Sequence, residues 1–110
     1  MANESFTSIL LKLKERGFFK DLIIKRGIEK EFFRVDKDGN ISNSPHPVSL
    51  GSALTNKFIT TDFAEAQLEL VTPVFENIND LSNFLYSLHV FVATNIDSNE
   101  LLWPFSMPPK

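Results

Sequence analysis

Gly27-Ile28-Glu29-Lys30-Glu31-Phe32-Phe33-Arg34-Val35 decides the fold, read with Thr60-Thr61-Asp62-Phe63-Ala64-Glu65-Ala66-Gln67-Leu68-Glu69 further along. In an extended strand side chains alternate between faces, so Glu29 and Glu31 point the same way, about 6.6 Å apart. Two carboxylates at that spacing repel by about 2–3 kcal/mol at an effective dielectric of roughly 20. Phe32, Phe33 and Val35 worsen the conflict by removing the hydration that would screen it. A divalent cation between the carboxylates relieves it, and a hard cation with oxygen ligands, magnesium, is the natural candidate.

Taken alone, the pair also fits an exposed edge strand with two solvated glutamates. Glu69 tips the reading towards a site. It sits at the centre of Gln67-Leu68-Glu69-Leu70-Val71, a second apolar strand in which Leu68 and Leu70 face one way and Glu69 the other. Asp62 and Glu65 widen the acidic group, one as a ligand and the other as a helix or turn cap. Carboxylates converging from neighbouring strands would hold two or three divalent ions, and such ions clamp nucleotide phosphates.

Composition frames the site. The chain has 110 residues, 43% hydrophobic and 23% charged, which suits one small globular domain rather than a disordered segment. Eleven phenylalanines are a heavy load for that length and suggest a core shared with more chain. A net charge of −3 without a Lys/Arg run argues against nucleic acid as a partner. The absence of cysteine excludes disulfides and thiolate metal sites. Met1-Ala2-Asn3-Glu4 lacks the features of a signal peptide, and no apolar run is long enough to cross a bilayer. The expectation is a cytoplasmic protein with no membrane contact.

Along the chain, Phe6, Ile9, Leu10 and Leu13 predict a helix over residues 5–16, capped by Ser5 and stopped by Gly17. Residues 22–35 read as a strand region, Asp36 to Asn40 as a turn, and Ile41 as a short return. Residues 42–47 are a loop, and residues 50–54 a turn leading into a strand. Residues 58–62 and 67–72 predict two more strands, the second stopped by Pro73. Asn79 is the expected cap of a helix running to Asn95, with Leu81, Phe84, Leu85, Leu88, Val92 and Ile96 on one stripe. The apolar tail from Leu101 to Lys110 is expected to continue or dock.

Other motifs fall away. Asp36-Lys37-Asp38-Gly39-Asn40 has its glycine at the fourth position and strands on both sides, so it is a hairpin turn rather than an EF-hand loop. His46 and His89 lack partners at ligand spacing and read as structural. No G-x-S-x-G, Walker or G-x-G-x-x-G pattern occurs, so any nucleotide binding must be mediated by metal and sheet.

Four blocks carry a resemblance: residues 27–35, His46-Pro47-x-x-Leu50-Gly51-Ser52-Ala53-Leu54-Thr55, residues 59–73, and Trp103-Pro104-Phe105-Ser106-Met107-Pro108. In this order they resemble the amino-terminal part of bacterial glutamate–cysteine ligase, over residues 22–108. The resemblance implies an α+β fold, an antiparallel sheet segment of a glutamine-synthetase-like funnel, here flanked by two helices. It implies ATP-dependent ligation of L-glutamate to L-cysteine through γ-glutamyl phosphate, the first step of glutathione synthesis. Carried across by residue, Glu29, Glu31, Asp62 and Glu69 match the family's acidic magnesium ligands; Arg34, Ser52 and Thr61 receive no role.

Family enzymes are several times longer, so residues 1–110 are expected to be a truncated part of a catalytic domain. The other ligands and most substrate contacts would lie in a missing carboxy-terminal part, and the chain alone is expected to be inactive. Two alternatives stand beside the ligase reading. One is a non-catalytic remnant, or a fragment that needs a complementary chain. The other is a related ligase with a different amine substrate, which the Thr-Thr-Asp-Phe and Trp-Pro-Phe-Ser-Met-Pro blocks oppose.

Overall fold

The computed structural model of this chain describes residues 4–109; Met1 to Asn3 and Lys110, the two ends of the sequence reading, lie outside them. Helix α1 spans Phe6–Glu15. Ser5 caps it by accepting a hydrogen bond from the Ser8 N–H at 3.2 Å. Gly17 ends it with φ +72, while the Phe18 N–H reaches the Leu13 carbonyl and the Gly17 N–H the Lys14 carbonyl, both at 3.0 Å. This is the glycine-dependent stop that satisfies the last carbonyls.

Strand β1 runs Glu29–Val35, shorter than the expected 22–35. The cause is a missing neighbour rather than poor propensity. Residues 22–28 are rich in Ile but, beyond one bridge of Arg26 with Phe75, make strand-like contact only at Ile28, whose N–H donates to Thr72 Oγ1 at 2.8 Å and whose carbonyl accepts from the Thr72 N–H at 2.9 Å. A strand is a pairing, and sequence alone does not supply the pair.

The predicted returning strand at Ile41 is likewise one bridge to Val35. The turn before it is as expected. Asp36 Oδ1 accepts from the N–H groups of Asp38 and Asn40, each at 2.9 Å, and Gly39 takes φ +82. A single 3-10 turn covers Val48–Leu50, followed by β2 at Ile59–Thr61 and β3 at Gln67–Val71. Helix α2 spans Ile78–Asn95, and β4 is Leu101–Leu102. The cap of α2 is Asn77, whose side chain accepts from the Asn79 N–H at 2.7 Å, not Asn79 itself. Starting at Ile78 leaves Asp80 in the first turn, where a negative charge suits the helix dipole.

The four strands form one antiparallel sheet in the order β2-β3-β1-β4. One face is dry: Phe32, Ile59, Leu68 and Leu70 are buried together with Leu50 and with Val92 of α2. Leu85, Leu88 and Ile96 of the predicted stripe pack against this cluster, and Leu81 is buried as well. Phe84 instead meets the rings of Phe58 and Phe75. The expected pair of flanking helices is realised by α2 alone. Although α1 forms, none of its residues is buried.

Candidate metal centre

Parity places the acids. Leu68 and Leu70 face the core, so Gln67, Glu69 and Val71 face the other side of β3. The register sets Glu31 directly opposite Glu69, Glu29 opposite Val71, and Thr60 of β2 on the far flank of Glu69. Just past β2, the Asp62 N–H donates to the Gln67 carbonyl at 3.0 Å, which carries Asp62 onto the same face. All four predicted residues, Glu29, Glu31, Asp62 and Glu69, therefore share the wet side of the sheet.

Their charges are felt. The Glu69 carboxyl is pushed above its ordinary 4.5, first by loss of hydration and then by Glu29, Asp62 and Glu31. Like charges directly across a ladder destabilise it, and Glu31 with Glu69 is such a pair. The ion pairs found among the described residues join Lys12 to Glu4, Lys25 to Glu76 and Arg34 to Glu100, and involve none of the four. The Gln67 side-chain amide sits among them, donating to Glu31 Oε2 at 3.0 Å and to Asp62 Oδ2 at 3.2 Å.

This donor set suits a hard divalent cation: carboxylate oxygens only, on paired strands, with mutual repulsion that a cation would relieve. Among the described residues no three His, Cys, Asp or Glu side chains close on a single point as placed. The arrangement is thus an open face rather than a finished cage. Such a face matches magnesium, which takes one or two carboxylates and fills its remaining positions with water and phosphate.

Glu65, the open alternative to Asp62, is a loop tether: its Oε1 accepts from the His46 N–H at 2.8 Å. The histidines are structural. His46 Nε2 pairs with the Gly51 carbonyl at 3.1 Å, and His89 pairs with the Leu85 carbonyl and stacks on Phe32. Ser52 supports the turn after Gly51, accepting from the Leu54 N–H at 3.3 Å.

Arg34 is one of three residues, with Ser52 and Thr61, that the sequence left without a role. It is fully buried and pairs with Glu100 at 2.6 Å. Its Nη2 donates to the carbonyls of Ser44 at 2.8 Å and Glu65 at 3.3 Å. One side chain thereby fixes the loop before the 3-10 turn, the 62–66 loop that carries Asp62, and the approach to β4. The signal was present in part, since Arg34 shares its strand face with the core residue Phe32. Its partner, 66 residues away, was not visible.

The fold and the face define a class: a small α+β unit whose sheet buries one side under a helix and presents carboxylates on the other. Comparison with known proteins gives the family. The profile described as glutamate-cysteine ligase matches residues 10–110. A glutamate–cysteine ligase of Wigglesworthia glossinidia brevipalpis is 54% identical over 85 residues, covering 77% of this chain and 17% of that protein. One from Hahella chejuensis is 47% identical over 106 residues, covering 96% and 20%.

Among solved structures, the glutamate–cysteine ligase of Francisella tularensis in complex with AMP superposes with TM-score 0.75 at 44% identity, over 76% of this chain and 17% of that one. A bifunctional glutathione synthetase from Pasteurella multocida gives 0.74 at 40%, over 76% and 12%. The chain belongs to the glutamate–cysteine ligase family, and it spans about a fifth or less of the length of these relatives.

Proposed function

We propose that this chain is the amino-terminal part of an ATP-dependent ligase that joins the γ-carboxylate of L-glutamate to the amino group of L-cysteine. Its sheet would be one wall of a glutamine-synthetase-like funnel. In that reaction the γ-phosphoryl group of ATP passes to a γ-carboxylate oxygen of glutamate, releasing ADP. The cysteine nitrogen then attacks the acyl carbon, the C–O bond to phosphate breaks, and the nitrogen gives up a proton. The Francisella relative in complex with AMP supports a nucleotide as co-substrate.

Glu29, Glu31, Asp62 and Glu69 would hold magnesium on this wall. Bound there, magnesium would offset negative charge on the phosphate oxygens during phosphoryl transfer. The chain's own contribution is to present carboxylates at fixed spacing, through the β1–β3 register. The observation that carries the reading is the pairing of Glu31 with Glu69, with the Glu69 carboxyl raised above its ordinary value first by loss of hydration and then by three neighbouring carboxylates.

The test is manganese binding, followed by paramagnetic broadening of backbone amides in the chain and in Glu29→Ala and Glu69→Ala. Broadening centred on Glu29, Glu31, Asp62 and Glu69, and weakened at least tenfold in both variants, is expected. In a complete ligase carrying this segment the same changes should cut activity by orders of magnitude, while Glu69→Gln makes the metal-free chain more stable by removing repulsion. Binding and activity that survive both alanine changes would sink the assignment.

A second reading is a segment that acts only with a complementary chain, or a non-catalytic remnant. Coverage of a fifth or less of the relatives' length favours keeping it. Cysteine-dependent ADP release on supplying the rest of a family ligase separates these cases.

A further inference from the structure

Among the described residues Gln67 is the one neutral polar side chain hydrogen-bonded to these carboxylates, and its amide nitrogen donates to two of them. It reaches Glu31 on β1 and Asp62 beyond β2, bridging the two strands that flank β3. Its place on that face follows from parity, since Leu68 and Leu70 take the core side. The atoms it engages, Glu31 Oε2 and Asp62 Oδ2, are oxygens that a cation would need.

We infer that Gln67 is a placeholder for the cation: a positioning residue whose amide N–H groups hold Glu31 and Asp62 together in the metal-free state and must release them when a divalent ion arrives. The inference rests on the magnesium reading above. An N–H donor carries a partial positive charge, so it satisfies the carboxylates while the site is empty and opposes a cation once one enters. Turning the amide over in place would set its carbonyl oxygen against the same two carboxylates, which is unfavourable without a cation between them. Two hydrogen bonds to charged acceptors are therefore lost on metal entry, and Gln67 raises the metal concentration at which the site fills.

Two substitutions at this position separate the roles, because they should act in opposite directions. Gln67→Leu removes the competing donors without adding charge and suits a strand. Gln67→Lys plants a tethered ammonium between the carboxylates. The probes are magnesium and manganese, added to the 110-residue chain labelled with nitrogen-15. The readouts are the Gln67 side-chain NH2 resonance and the manganese broadening of the 29–31, 62 and 69 backbone amides.

In the unsubstituted chain the NH2 resonance should shift in step with magnesium binding. Gln67→Leu should then fill at manganese at least about tenfold lower, since each of the two lost hydrogen bonds is worth that much or more, and Gln67→Lys should not fill. If manganese broadens the acidic face while the NH2 resonance stays put and Gln67→Leu fills at an unchanged or higher concentration, the placeholder is overturned and the metal site stands. If manganese leaves the acidic face untouched, the metal reading falls and the placeholder with it. A merely structural role for Gln67 would weaken binding in both variants, which also overturns the inference.

Discussion

At the scale of single residues, the site and the core are joined through Arg34. A buried guanidinium is costly unless its charge is met, and here Glu100 meets the charge while the Ser44 and Glu65 carbonyls accept from Nη2, leaving Arg34 Nε and Glu100 Oε2 without a hydrogen-bond partner. Ser42 Oγ donates to the same Glu100 oxygen. Removing one partner strands the other, so Arg34→Ala or Glu100→Ala should each cost about 3–5 kcal/mol by urea denaturation. The double change Arg34→Met with Glu100→Leu should recover part of that loss, but not all, because the Ser44 and Glu65 carbonyls lose their donor. Costs that simply add would deny the coupling. The contrast with the acidic face explains what sequence could show. That Glu29, Glu31 and Glu69 share one face of the sheet was legible because they interrupt apolar strands at fixed parity, a local pattern. The Arg34–Glu100 pair was not, because a contact across 66 residues leaves no local trace.

At the scale of elements, turns and helix ends were legible wherever a side chain acts within a few residues of itself. Ser5, Gly17 and the 36–40 turn behave as their chemistry dictates. The β1 start and the α2 cap were less so. Strand length depends on a partner, and either of two asparagines offered the same capping group. The hairpin turn also yields a pH dependence. The Asp36 carboxyl lies below its ordinary 3.8, chiefly through the Asn40 side chain and then through backbone N–H groups of the turn. A carboxyl lowered on folding contributes stability that is fully present above its unfolded value and is lost as pH falls through the folded one. Asn40→Ala removes the largest cause while keeping the acid, so it should flatten the acid limb of the stability curve below the ordinary Asp range. Curves that stay parallel down to that range would show that the turn does not couple to folding. Glu69 works in the opposite sense. Its raised carboxyl favours the folded state on acidification, so the Asn40→Ala comparison belongs in a Glu69→Gln background.

At the scale of the whole molecule, the dimensions match the coverage of the relatives. The radius of gyration is 20.2 Å, against about 13 Å for a compact chain of this length. The molecule measures 61 × 27 × 22 Å, and α1 buries nothing. Val48, Leu54 and Phe63 are each more than nine-tenths exposed. Solvent is a poor neighbour for so many large apolar side chains. Within a ligase of the family's usual length, these surfaces and the open acidic face would meet further chain, the first gaining cover and the second its remaining ligands. Hence the chain by itself should release no ADP in the presence of glutamate, cysteine, ATP and magnesium. Supplied with the rest of a family ligase as a separate polypeptide, it should restore ADP release that depends on cysteine, and Glu69→Ala should abolish that restoration while leaving the two pieces associated. Association is read by co-elution and the chemistry by ADP, so the two properties are scored apart. Assembly without ADP release would mean that the acidic face no longer serves catalysis, the remnant reading. ADP release that persists in Glu69→Ala would place the metal site elsewhere in the ligase and leave this sheet a scaffold.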